Sequence, residues 1–193
     1  AMTEALSVQD QDVFIVGAGN SAGQAAMFFT RYAKNVYMLV RGEALTKTMS
    51  SYLIDQITAT PNIHVLTYSE VKAVYGTSKL EGLTYINKQT GEEHTTNAAA
   101  LFIFIGAAPM TEWLADVVER DQYGFIYTGP DLIRDGKRPK GWRLDRDPFL
   151  LEASVPGIFC AGDVRARSVK RVASAVGEGS IAVQFIHQYL GAL

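Results

Sequence analysis

Residues 13–23 read Val13-Phe-Ile-Val-Gly-Ala-Gly-Asn-Ser-Ala-Gly23, an apolar run followed by a glycine turn and the opening of a helix. Strands of a parallel sheet are covered on both faces and are near-continuously apolar, as Val13 to Val16 are. Gly17 lets the backbone turn tightly at the strand end. Gly19 has no side chain and lets the backbone approach a pyrophosphate closely, and Ala22 is small enough for the next helix to pack on the strand. The helix is expected from Asn20 to about Tyr32, with Ala22, Ala25, Ala26 and Phe29 facing the sheet. Its first amides and its dipole then point at the anion. A second apolar strand, Asn35-Val-Tyr-Met-Leu-Val40, closes a βαβ unit. Strand, G-x-G-x-x-A turn, helix and strand in this order form the setting that a dinucleotide-binding fingerprint requires.

The end of the second strand bears on which dinucleotide is bound. An NAD site usually carries a carboxylate about 20 residues past the glycines, on the ribose 2′-hydroxyl. Here Val40-Arg41-Gly42 occupies that place, and the first carboxylate is Glu43. Arg41 presents a permanent charge on a planar fork suited to a 2′-phosphate, and Lys47 adds a second charge nearby. The reading is NADP(H) rather than NAD(H).

Composition agrees with an ordinary globular chain: 193 residues, 48% apolar, 20% charged, formal net charge −2. That balance gives no reason to expect nucleic acid or an anionic membrane as partner. The longest apolar stretch, Ala98 to Met110, is too short to span a bilayer, and no signal peptide is evident, so the cytoplasm is expected. Cys160 is the single cysteine, which rules out an intrachain disulfide or a C-x-x-C pair within these residues. It is read as a core filler.

Past Arg41, Leu45, Met49, Tyr52, Leu53, Gln56 and Ile57 have helical spacing up to Pro61. Four β-rich stretches follow, 63–68, 71–75, 80–87 and 92–96, with turns at Gly76 and Gly91. Their close spacing predicts an antiparallel meander. Leu101-Phe-Ile-Phe-Ile-Gly106 is a return to the parallel sheet. Residues 111–149 turn polar, with a long loop over 129–148, and are read as an excursion outside any core. Then come a strand at Gly157–Cys160, the turn Ala161-Gly-Asp163, a basic stretch from Arg165 to Arg171, and a helix from Val172 to Leu190. His64, His94 and His187 lack ligand spacing, and Trp113 and Trp142 are read as packing residues.

The order of Gly17-Ala-Gly-Asn-Ser-Ala22, Val40-Arg41, Phe104-Ile-Gly106, Val155-Pro-Gly-Ile-Phe-Cys-Ala-Gly-Asp163 and Lys170-Arg-Val-Ala-Ser-Ala-Val-Gly-Glu-Gly179 resembles the pyridine-nucleotide flavoprotein disulfide reductases. Within them it is most similar to the thioredoxin reductase-like branch. The resemblance implies an α/β fold: a Rossmann-like dinucleotide-binding domain of three ββα layers with an antiparallel meander, over residues 10–110. Residues 111–193 would be the C-terminal segment of a second, split FAD-type domain. It further implies that Gly17, Gly19, Asn20, Ser21 and Ala22 hold pyrophosphate and ribose, that Arg41 and Lys47 hold the 2′-phosphate, and that Gly106 leaves room beside the cofactor. Gly162, Asp163, Lys170, Arg171 and Val172 would approach FAD.

Three departures accompany the resemblance. Only 16 residues precede Gly17, so the N-terminal FAD-binding half, with its own fingerprint, is expected to lie outside this chain. No C-x-x-C stands upstream of the fingerprint, and the usual arginine pair is reduced to Arg41-Gly42. The combination looks more like the thioredoxin reductase-like domain joined to signalling modules. The implied reaction is hydride transfer from NADPH to the flavin and on to an acceptor, thioredoxin-like or ferredoxin-like, with no residue here serving as general acid or base. This chain alone is expected to be inactive and without flavin colour. Two alternatives stay open: an NADP(H)-sensing module without turnover, and a ferredoxin/flavodoxin–NADP reductase-like enzyme without dithiol chemistry. A homodimer also stays open.

Overall fold

Val13 and Ile15 point to one face of their strand and Phe14 and Val16 to the other, and this period-two alternation organises the first half of the molecule. The computed structural model describes residues 2–193. The elements run α1 (Met2–Ser7), β1 (Asp12–Val16), α2 (Asn20–Phe29), β2 (Asn35–Val40), α3 (Ser51–Ala59), β3 (Ile63–Thr67), β4 (Ser69–Tyr75), β5 (Gly82–Asn87), β6 (Glu93–Asn97), β7 (Ala100–Ile103) and α4 (Val172–Leu190). The chain divides into two compact units, the first ending at Gly106 and the second running from Ala107 to Leu193.

In the first unit, four strands form a parallel sheet in the order β3-β2-β1-β7. Val13, Ile15, Val36, Met38 and Val40 bury one face of it beneath Ala22, Ala26 and Phe29 of α2 and Leu53 and Ile57 of α3. Phe14, Leu39 and the partly buried Tyr37 cover the other face, against Leu83 and Tyr85 of the antiparallel sheet β4-β5-β6. The result is the expected three-layer ββα arrangement. Each fully buried Phe14, Ile15 or Met38 contributes about 1.5–3 kcal/mol. The short α1, which the sequence reading did not anticipate, places Ala5 in the same core, joined by Val8 of the turn that follows it.

Four expectations need correction. Residues 63–67 are not part of the meander: β3 pairs parallel to β2, from Val36↔Ile63 to Val40↔Thr67, because α3 supplies the crossover that a parallel neighbour needs. Leu45 and Met49 are buried but precede α3, so their spacing came from a turn-rich approach to the helix. Residues 111–149 are not outside a core, since Val118 and Ile126 pack with Ala153 and Cys160 at the centre of the second unit. Gly157–Cys160 is not a strand; only an isolated bridge, Glu152↔Phe159, touches it.

The second unit has little regular structure before α4, so its polar backbone is satisfied by turns and by side chains. Its strongest knot is Glu152. The side chain is 0% exposed, and its carboxylate accepts from both Arg146 guanidinium nitrogens, at 2.6 and 3.0 Å, and from the amides of Phe149 and Gly157, both at 2.9 Å. Arg146 in turn lies 3.9 Å over the Phe149 ring, and Phe149 stacks on Phe185 of α4. Trp142 donates its indole N–H to the Arg146 carbonyl at 2.7 Å. Trp113, by contrast, is 77% exposed and is not the packing residue expected. No helix among the described residues is long and apolar enough to cross a membrane.

Candidate functional site

In the first unit the parallel strands end together. Val16 pairs with Leu39 and Ile103, and Val40 with Thr67. Gly17, Arg41 and the Phe104–Gly106 segment therefore all follow carboxyl ends of neighbouring strands, the edge at which open α/β sheets take their ligands. Gly17 donates its amide to the Leu39 carbonyl at 3.2 Å and has φ of +146°. A β-carbon on it would lie 2.5 Å from the Phe104 carbonyl oxygen and 3.0 Å from the Ala22 methyl. That contact is the physical reason for glycine at 17 and for a small residue at 22.

Gly19 caps α2 in extended conformation, and a β-carbon there would meet only the Thr48 carbonyl, at 3.9 Å. The first amide bonded back within the turn is that of Gly23, to the Gly19 carbonyl at 3.1 Å. The amides of Asn20, Ser21 and Ala22 stand before it at the positive end of the helix, free to donate to an anion. Ser21 is exposed. The Asn20 side-chain oxygen Oδ1 accepts the Ser50 amide at 2.8 Å, and the Thr48 hydroxyl donates to the Ala18 carbonyl at 2.8 Å. The segment after Arg41 is thereby clipped to the glycine turn from both sides.

Gly23 was missed by the sequence reading. A β-carbon on it would come within 2.7 Å of Leu53 and 2.8 Å of Met49, so it sets how closely α2 approaches α3. Its adjacency to Ala22 was the available signal. Arg41 is exposed and has no acidic partner among the described residues. Lys47 is paired with Glu43 at 3.1 Å, both exposed. Around Gly106 a β-carbon would meet nothing within 4 Å, so its φ of +89°, rather than lack of room, calls for glycine.

In the second unit, Ala161, Gly162 and Asp163 face Lys170, Arg171 and Val172 across an open depression of about 590 Å³. The Gly162 amide donates to Glu178 at 2.7 Å, and the same carboxylate takes the Arg165 guanidinium. Arg165, with the Gly162 amide, holds the Glu178 carboxyl below the usual carboxylate range against the opposing effect of burial. Lys170 donates to the Asp163 carbonyl at 2.9 Å and sits 4.1 Å over the Phe125 ring. Arg171 is the extended residue before α4, and Val172 is 83% exposed at its first turn. Arg165, read beforehand only as the start of the basic stretch, is thus spent on Glu178, which was not singled out although it lies in the Gly177-Glu-Gly179 stretch that carries the resemblance.

Two of the three histidines are engaged elsewhere: His64 stacks on Tyr37 at 4.9 Å and His94 on Tyr85 at 5.1 Å. Among the described residues no group of three or more His, Cys, Asp or Glu side chains is placed to hold a metal ion.

The chain has relatives among known proteins. The pattern of the pyridine nucleotide-disulphide oxidoreductases matches residues 2–179. A thioredoxin reductase of Streptomyces clavuligerus is 31% identical over 185 residues, covering 96% of this chain and 51% of that protein. A 34.2 kDa protein in the rubredoxin operon of Clostridium pasteurianum is 27% identical over 95% of this chain and 53% of its own length. The crystal structure of Lactococcus lactis thioredoxin reductase superposes with a TM-score of 0.73 at 25% identity, over 100% of this chain and 57% of that one. The chain thus spans about half the length of the curated relatives it matches.

Proposed function

Because the chain belongs to the pyridine nucleotide-disulphide oxidoreductase family, we propose that its first unit is the NADP(H)-binding part of a FAD-dependent oxidoreductase similar to thioredoxin reductase. The second unit would contribute Gly162, Asp163, Lys170, Arg171 and Val172 to one side of the flavin site, the rest coming from the half of the relatives' length that this chain does not span. The single observation that carries the reading is the turn at Gly17–Ala22: unspent helix amides at the carboxyl edge of a parallel sheet, with an unpaired arginine closing the neighbouring strand.

The residues present fit the nucleotide. Gly19 leaves its outer side open, so the amides of Asn20, Ser21 and Ala22 meet the pyrophosphate without interference. Arg41 reads the 2′-phosphate with charge-assisted, paired N–H donors. Lys47 exchanges Glu43 for that phosphate at small cost, since an exposed ion pair is worth less than about 1 kcal/mol. On the other unit, the depression at Ala161–Asp163 offers a backbone turn fixed by Glu178 and a helix start flanked by two cations.

When bound, reduced nicotinamide supplies a hydride and flavin accepts it. The chain's own part is to hold the nucleotide in place and orient it, and no side chain here is required to move a proton. Electrons would then pass to a redox-protein acceptor. The test is a calorimetric titration of this chain with NADPH and, separately, NADH. Tighter binding of NADPH supports the reading; equal binding removes the role given to Arg41, and binding of neither removes the nucleotide site.

A further inference from the structure

Between Arg134 and Asp147 the chain carries six basic and three acidic side chains, while outside this segment acidic residues outnumber basic ones. Most of its charges are spent internally. Arg134 pairs with Glu119 at 2.9 Å, Arg138 with Asp147 at 2.8 Å and Asp145 at 3.5 Å, and Arg146 with the buried Glu152. Lys137, Lys140 and Arg143 are exposed and have no acidic partner among the described residues, and the one unpaired acid in the segment is Asp135.

A solvated charge run needs no anchor, but this one has two. The hairpin Arg134–Lys137 closes with reciprocal backbone bonds of 3.1 and 2.9 Å. The far end is fixed through Trp142 and Arg146 to a carboxylate with no exposed surface. Burying such a carboxylate costs several kcal/mol before its four donors offset it, and what it secures is the position of the exposed cations. At the foot of the hairpin, Arg134 lines an open depression of about 510 Å³ with Arg120, Tyr127, Arg167 and two acids: Asp131, paired with Arg167 at 2.8 Å, and Asp121, which accepts the Tyr123 and Phe125 amides at 2.8 and 2.9 Å. Arg120 there donates only to neutral oxygens, the Thr111 carbonyl at 2.7 Å and hydroxyl at 3.2 Å.

We propose that the segment 134–147 is a docking surface for an acidic protein, with Lys137, Lys140 and Arg143 meeting its carboxylates and Arg120 receiving one of them in the depression. An acidic protein face suits a patch of three cations with an acid among them. Asp135, exposed and unpaired among these cations, would repel the uniformly charged backbone of a polyphosphate, whereas a protein face can meet it with a donor or a cation of its own. The proposal rests on the reading above only in taking that protein to be the electron acceptor.

The test uses a plant-type [2Fe–2S] ferredoxin as the acidic probe, titrated against the full chain at low and at physiological salt. Expected are binding that weakens as salt rises, a loss of about tenfold or more on combining Lys137→Glu, Lys140→Glu and Arg143→Glu, and a smaller loss for Arg120→Met. Circular dichroism and, in a Trp113→Phe background, Trp142 fluorescence report whether the variant is folded. If the reversal disturbs Trp142, the single changes Lys140→Gln and Arg143→Gln are read instead. Absence of ferredoxin binding at low salt, unchanged binding by the folded variants, or tighter binding of a DNA duplex or phosphatidylglycerol vesicles would overturn the proposal. A failed NADPH titration refutes the nucleotide reading and leaves this result standing.

Discussion

The Phe104 carbonyl oxygen stands 2.5 Å from the point where a β-carbon on Gly17 would lie. Phe104 cannot retreat, because its amide is bonded to the Val16 carbonyl at 2.7 Å, directly before Gly17. Gly17→Ala therefore adds a backbone clash to a φ of +146°, which an L-residue rarely adopts. The expected destabilisation is about 2–4 kcal/mol. Urea unfolding would read it as a lowered midpoint with unchanged slope. A midpoint within experimental error of wild type would mean that the turn relaxes freely.

Arg41→Ala is expected to weaken NADPH by roughly 1.5–3 kcal/mol, the value of a hydrogen bond to a charged group, and to leave NADH nearly unchanged. Calorimetry with both nucleotides decides it. An equal loss for the two would place Arg41 away from the 2′-phosphate.

Much of the first unit was readable because its signals are local. Buried-strand runs, the glycine turn and helical spacing placed β1, α2 and β2, and α4 runs from Val172 to Leu190 as expected. Pairing partners were less legible. Ile63–Thr67 has the composition of a meander strand, and only the crossover through α3 makes it parallel to β2. The core of the second unit was missed for a related reason: Val118, Ile126 and Leu132 sit in short apolar patches, Val117-Val118, Phe125-Ile-Tyr127 and Leu132-Ile133, separated by polar runs and without a regular period. Glu152 likewise resembles a surface glutamate until the chain brings Arg146 and two amides to it. Of the candidate site, the glycines could be placed by motif, but the clips Thr48–Ala18 and Ser50–Asn20 join residues 30 apart and left no mark in the sequence.

Cys160 is buried, and that burial pushes its thiol pKa up, with Arg165 opposing the effect in part. Thiolate is the reacting form, so a buried thiol of raised pKa is inert. Reaction with Ellman's reagent should be far slower in native buffer than in urea. Comparable rates in both would show that the segment around Cys160 opens without global unfolding.

Acid should loosen the second unit through Glu152. Burial alone would raise this carboxyl, but the Arg146 fork and the amides of Gly157 and Phe149 outweigh it and hold the pKa below the ordinary value. Glu178 is lowered likewise, chiefly by Arg165. A depressed folded pKa stabilises fully above the unfolded carboxyl value of about 4.3, and that contribution is lost as pH falls through the folded value. Removing Arg146 instead leaves the Glu152 charge buried without its partner, at a cost of about 3–5 kcal/mol. Trp142 fluorescence in a Trp113→Phe background follows both. Wild type should hold its signal down to about pH 4.3 and lose it below, whereas Arg146→Met, which leaves burial less opposed at Glu152, should be weakest near neutral pH and regain signal as acid protonates that carboxyl. Coincident acid transitions in the two proteins would show that Arg146–Glu152 does not anchor the loop.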